Sequence, residues 1–230
     1  HVLLLAGAAS REYQFVRGLL HRDKTTLVDV LLQTGAEGIS QEADKILSEF
    51  PASAAALDAY DCVIAFDPRW QAPADNLPGL TDAQVNLLEQ WVGQKGGGLI
   101  LIAGPVHAGQ MVGGWVQDPT RSKIRVLYPV EFPRFSSILE TGGYARQSPC
   151  ALEFTREYAD ASFLWLDETE EANHRAWRQF FTGSDDSSSR VAGSGGEDRS
   201  GIYGCLPVYR PKPGAKVYAR LADPQLGKDT

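Results

Sequence analysis

Four short, almost unbroken apolar runs punctuate the first hundred positions: VLLLAG (Val2–Gly7), TTLVDVLLQT (Thr25–Thr34), YDCVIAFDP (Tyr60–Pro68) and LILIA (Leu99–Ala103). Each is too short to span a bilayer, which takes about 20 apolar residues. None shows the strict alternation of a strand with one wet face. A run that is apolar on both sides suits a strand buried on both faces, the usual situation in a parallel sheet.

The segments between these runs have helical spacing. REYQFVRGLLHRD, after the first run, puts Phe15, Leu19 and Leu20 on one face and charges on the other. QEADKILSEFP (Gln41–Pro51) predicts a short helix that stops ahead of Pro51. LTDAQVNLLEQWVGQKGGG is the most complete helix signal. Thr81 and Gln84 form a capping box, Val85, Leu88, Trp91 and Val92 form the apolar stripe, and Gly96–Gly98 end it. Strand and helix therefore alternate, which predicts a three-layer α/β/α sandwich on a mostly parallel sheet, flavodoxin-like in outline, with right-handed crossovers.

Beyond Gly109 the pattern loosens. KIRVLYPVEF and ALEFTREY contain strand-like pieces, DETEEANHRAWRQFF is helical, and the end of the chain returns to strand with Pro-Gly turns. The serine- and glycine-rich stretch 183–201 reads as a mobile loop, too near the end to separate two domains. The chain thus reads as one domain over residues 1–230. Its abrupt start in a core strand reads as a domain excised from a longer protein.

The formal net charge of −7 argues against nucleic acid, whose binders need a basic face. The three cysteines, Cys62, Cys150 and Cys205, are too widely spaced for a CxxC motif and read as unpaired core thiols. The glycines of KGGG precede the LILIA strand. A phosphate cradle needs them after a strand, at the opening of a helix, so they read as a helix stop. Glu171 and His174 have Glu-x-x-His spacing, but one copy on a single helix reads as a solvated face. Trp91, Trp165 and Trp177 read as core. No metal site or cofactor is expected.

Two stretches carry a family resemblance. LDAYDCVIAFDP followed by LTDAQVNLLEQWVGQKGGGLILIAGP resembles the class I glutamine amidotransferase-like fold, more narrowly the amidotransferase-like domain of large bacterial membrane proteins. Those proteins often also carry a von Willebrand factor A-type domain. YGCLPVYRPKPGAKVYAR (Tyr203–Arg220) is similar to their C-terminal strands. The likeness covers most of residues 1–109 and about 203–224, and it implies a module of a membrane-anchored envelope protein. Active amidotransferases place a cysteine at the elbow after the strand, with a His-x-Glu pair downstream. Here the elbow reads IAGPVH, with no Cys, Ser or Thr from Ala103 to His107, and no His-x-Glu pair follows.

Ligands of open α/β sheets bind at the carboxyl ends of the strands. The loops there carry Ser10, Arg11, Asp67, Arg69, Trp70 and His107. The expectation is a non-catalytic face, with Trp70 displayed on it, that binds a protein partner or small ligand. The partner would be another domain of the parent protein or an envelope protein, with membrane attachment only through segments outside this chain. Alternatives are a hydrolase using His107 and Asp67, and a structural spacer. The plain reading of His107 is a loop residue facing solvent, and that of Asp67-Pro68 is a turn that ends a strand.

Overall fold

The computed structural model describes residues 1–36, 41–70, 79–104, 107, 122–132, 145–182, 202–206 and 208–222. The chain divides into two compact units, His1–Tyr128 and Pro129–Thr230, where the sequence reads as one domain.

In the first unit the apolar runs become strands. β1 is Val2–Ala6, β2 is Val28–Leu32, β4 is Cys62–Phe66 and β5 is Gly98–Ile102. Between β2 and β4 lies a two-residue strand, β3 (Lys45–Ile46). All pair in parallel, in the order β3-β2-β1-β4-β5. Leu3, Leu4 and Leu5 are fully buried, as a central parallel strand requires.

Helix α1 (Arg11–Arg22) is capped by Ser10, whose side chain accepts from the Tyr13 N–H at 3.2 Å. A short helix α2 (Ala54–Leu57) follows, then α3 (Asp82–Lys95) with the full Thr81/Gln84 capping box and Gly96 in the left-handed conformation at φ 72°. Tyr13, Val16 and Leu20 of α1 pack with Leu4, Ala6, Val28, Val30, Ile64 and Phe66 on one sheet face. The other face, with Leu3, Leu5, Val63 and Ala65 fully buried, is that of α2 and α3. Right-handed crossovers running in opposite directions from β1 produce this arrangement. The unit is an α/β fold with helices on both faces of a parallel sheet. α4 (Ser122–Leu127) packs against α3.

Four expectations are corrected. Residues 41–50 hold no helix. Asp44 instead binds the open edge of β2, its carboxylate accepting from the Val28 N–H at 2.7 Å, and β3 follows as an edge strand. α1 is rotated from its expected setting: it buries Tyr13, Val16 and Leu20 and leaves Phe15 and Leu19 exposed. The Tyr13 hydroxyl finds a partner in Gln41, so this aromatic can sit in the core. β5 is an edge strand, with Ile100 and Ile102 exposed on one face. Finally, KIRVL lies in helix α4 and is not strand.

The second unit is built on antiparallel pairs. β6 (Val130–Glu131) pairs with β9 (Arg210–Pro211), fastened by two hydrogen bonds of 2.8 and 3.0 Å from Arg210 to Glu131. β7 (Ala145–Phe154) lies between β8 (Ile202–Gly204) and β10 (Ala219–Ala222). Two 3-10 turns (Arg156–Asp160, Ser162–Leu164) lead to α5 (Glu170–Thr182). Phe154 stacks on Tyr158 at 4.0 Å and meets Trp177 at 5.2 Å. Buried Asn173 donates to the Tyr158 hydroxyl and accepts from Leu166 N–H at 2.7 Å. Stretch 183–201, expected to be a mobile loop, lies outside the described residues. No helix among the described residues is long and apolar enough to cross a membrane.

Candidate functional site

The carboxyl ends of the central strands are flush. Ala6, Leu32, Phe66 and Ile102 share one register level. The next residues, Gly7, Gln33 and Asp67, extend the ladder by one bond each: Gly7 N–H to Phe66 O (3.1 Å), Gln33 N–H to Ala6 O (2.8 Å) and Asp67 N–H to Ile102 O (2.7 Å). The chain runs from β1 outward to β2 and β3, then restarts beside β1 at β4. The gap between the ends of β1 and β4 is therefore the topological switch point, where such folds bind ligands.

Asp67 stands at that point with φ 37°, in the left-handed region that a non-glycine residue adopts at a cost of about 1–2 kcal/mol. It is wedged between two glycines. A Cβ on Gly7 would lie 2.3 Å from the Asp67 carbonyl oxygen and 2.5 Å from His107 Cδ2. A Cβ on Gly104 would lie 2.6 Å from Asp67 Oδ2. The same Oδ2 accepts the His107 backbone N–H at 3.1 Å. The turn that follows is held by Gln33. Its amide accepts from Arg69 N–H (2.7 Å) and donates to Arg69 O (2.9 Å), so both backbone polar groups of Arg69 are bonded to a single side chain.

His107 is 8% exposed, not the solvent-facing loop residue expected. Burial is the largest influence on its imidazole and lowers its pKa. The Asp67 carboxylate opposes this and the Arg69 guanidinium reinforces it. His107 is thus neutral at pH 7, able to accept or donate a proton but carrying no charge. Trp70 is 1% exposed, so it is core and not the displayed aromatic expected. Its polar neighbour is Tyr128, whose phenol is pushed up chiefly by burial, with Trp70 lowering and Asp67 raising it.

Ser10 and Arg11 are exposed, and Ser10 uses its hydroxyl to cap α1. Of the six residues singled out from sequence, the structure joins Asp67, Arg69 and His107 in one cluster. Trp70 is buried beside Tyr128, and Ser10 and Arg11 are exposed at the start of α1. Sequence reasoning missed Gly7, Gln33 and Tyr128. A glycine and a glutamine one residue past two apolar runs are a readable signal for the first two. Tyr128 has no local signal, because only tertiary folding brings it to Trp70.

A second polar cluster lies toward the amino ends of the strands. Buried Asp29 accepts from the Tyr60 hydroxyl at 2.7 Å, and His1 Nε2 stands 3.2 Å from its other oxygen. Burial first, then the Asp29 carboxylate, pushes the Tyr60 phenol far above its ordinary range, so Tyr60 is fixed as a donor. Beside it the Cys62 thiol is raised mainly by burial, which leaves it protonated and a poor nucleophile. Cys62 is a free thiol. His174 approaches Glu170 at 3.9 Å on an exposed helix face, and no His/Cys/Asp/Glu group among the described residues could hold a metal ion. In comparisons with known proteins, no family model matches the chain, and no curated protein or solved structure matches it significantly.

Proposed function

We propose that the first unit is a non-catalytic, amidotransferase-like recognition module of a membrane-anchored envelope protein, which binds a protein partner or small ligand at the strand carboxyl ends. The observation that carries this reading is steric. In the stretch where the resembled enzymes hold their nucleophile, Gly104 has no space for a side chain, because the Asp67 carboxylate lies where its Cβ would be. Asp67 in turn is engaged in holding the His107 backbone. Among the described residues singled out for this edge, two are cationic and reach solvent: Arg11 is exposed and Arg69 partly exposed. Such residues suit recognition of an acidic or polar surface.

The test has two arms. Hydrolysis of glutamine and of an activated ester should not exceed the buffer rate, and Asp67→Asn or His107→Gln should leave that result unchanged. Binding of the parent protein's remaining domains, supplied in trans, should weaken about tenfold in Arg11→Glu and Arg69→Glu, in the range of central interface residues. A second reading, a hydrolase using His107 and Asp67, is favoured by the one fact that these two residues do meet. Turnover lost in both Asp67→Asn and His107→Gln would establish it and end the first reading.

A further inference from the structure

Gln33 is 5% exposed, and a glutamine is buried to that depth where its amide has partners. Its backbone extends β2 by one ladder bond, N–H to Ala6 O at 2.8 Å. Its side chain serves another element. The oxygen accepts from Arg69 N–H at 2.7 Å, and the nitrogen donates to Arg69 O at 2.9 Å. β2 and β4 flank β1, so they stand about 10 Å apart. A glutamine side chain is about half that long. The turn that leaves β4 must therefore lean back over the end of β1 to meet it. It passes Gly7 on the way, where an added Cβ would lie 2.3 Å from Asp67 O.

The residues of this strap, Asp67–Trp70, are held in different ways. Asp67 is fixed by its N–H on Ile102 O and by its carboxylate on the His107 N–H. Pro68 and Trp70 are buried, and the proline ring fixes its own φ. Arg69 lies between these two buried residues with its own side chain partly exposed. Burial of that side chain does not anchor it. Hydrogen bonds to its backbone do: the two from Gln33, and a longer one of 3.3 Å from Leu80 N–H, beside the Thr81 cap of α3.

We propose that Gln33 is a positioning residue for recognition at the strand carboxyl ends: it fixes the place over β1 from which Arg69 reaches an acidic group of the partner. The proposal rests on the recognition reading given above. Its physical content is preorganisation. A partner that pairs with Arg69 has one side chain to order, whereas on a loose strap it would have to order the backbone of the turn as well. Both Gln33 bonds go to backbone, so Gln33 sets the place and Arg69 supplies the charge.

Two measurements on the 230-residue chain test this. Amide hydrogen exchange, followed by NMR, reads the strap without a partner. Gln33→Met keeps the length of the side chain and removes both bonds. It should speed exchange of the Arg69 N–H about tenfold more than that of the Leu4 and Val30 N–H groups in the central strands. Gln33→Asn keeps the amide but shortens its reach by one methylene. It should behave in the same way, and it serves if the methionine variant does not fold, which circular dichroism shows. An Arg69 N–H that exchanges freely in the wild type, or that the variants speed no more than Leu4 and Val30, overturns the proposal. The second measurement is binding of the parent protein's remaining domains, in a double-mutant cycle with Arg69→Ala. Gln33→Met should weaken binding about three- to tenfold when Arg69 is present and less than about twofold when it is not. Equal weakening in both backgrounds is what a merely structural role gives. It overturns this proposal and leaves recognition through Arg11 and Arg69 standing. Binding that neither Arg11→Glu nor Arg69→Glu weakens ends the recognition reading, and this proposal with it.

Discussion

Gly7→Ala is the sharpest probe of the strand-end junction, because two known effects of opposite sign meet there. Gly7 is not in the left-handed region, so an alanine backbone is allowed. Loss of glycine's unfolded-state freedom would by itself stabilise by about 0.4–1 kcal/mol. Against it stands the new methyl group, 2.3 Å from the Asp67 carbonyl oxygen and 2.5 Å from His107 Cδ2. The imidazole could swing aside. The carbonyl cannot do so freely, because Asp67 N–H is bonded to Ile102 O at 2.7 Å and the turn beyond it is clamped by Gln33.

Relief requires the end of β1 and the β4 turn to separate by most of an ångström, which strains the 3.1 Å bond from Gly7 N–H to Phe66 O. Overpacking of a rigid site costs about 1–3 kcal/mol, and here a ladder hydrogen bond of about 1 kcal/mol weakens as well. The clash wins, and the net loss should be about 1–3 kcal/mol. Urea unfolding followed by far-ultraviolet circular dichroism measures it. Gly93→Ala is the matched control: it lies in α3 with nothing within 4 Å of the added Cβ, so it should stabilise by about 0.5–1 kcal/mol. If Gly7→Ala proves as stable as the wild type while Gly93→Ala behaves as stated, the wedge of Gly7, Asp67 and His107 does not exist in solution.

Three further outcomes are expected. Trp70→Ala should cost about 3–5 kcal/mol by chemical denaturation, as a fully buried indole does, whereas an exposed binding residue would cost almost nothing. Tyr60→Phe should cost about 1–3 kcal/mol at pH 7, because it strips a 2.7 Å hydrogen bond from buried Asp29, and a neutral result would mean that water replaces the hydroxyl. The depressed pKa of His107 gives stability that is present above the unfolded histidine value, about 6.5, and is lost as pH falls through it toward the folded value. The stability difference between wild type and His107→Gln should therefore shift against the wild type between about pH 7 and 5, and a difference that does not change with pH would refute the buried, neutral imidazole.

The fold of the first unit was legible because its signals are local. Apolar runs of five residues, the Thr81–Gln84 box and Gly96 each act within a few positions, and each appears where the pattern puts it. The errors arise where two local readings are equally good and a distant residue decides. α1 offers two apolar lines, Phe15–Leu19 and Tyr13–Val16–Leu20. The second enters the core because Tyr13 reaches Gln41, 28 residues on. Likewise KILSEF could form a helical turn, but the open edge of β2 and the Asp44 carboxylate capture it as strand.

The strand-end cluster illustrates the same limit at the level of chemistry. The sequence identifies Asp67, Arg69 and His107 by their place after apolar runs, since the end of a strand brings loop residues to one edge whatever they are. It does not say whether that edge is open or filled. That depends on Gly7 and Gly104, which act by having no side chain and thereby let Asp67 occupy the space a side chain there would need. A residue held at φ 37° between two glycines, with its carboxylate bonded to a neighbouring backbone, is fixed by packing on every side. Rigidity of this kind can serve a preorganised catalyst or a binding surface equally well. What favours the proposed binding reading is that polar atoms of the junction are directed at one another, Gln33 at both backbone groups of Arg69 and Asp67 at the His107 N–H. Groups engaged with one another in this way fit the proposed recognition surface better than a catalyst, which needs a polar atom left to act on its substrate.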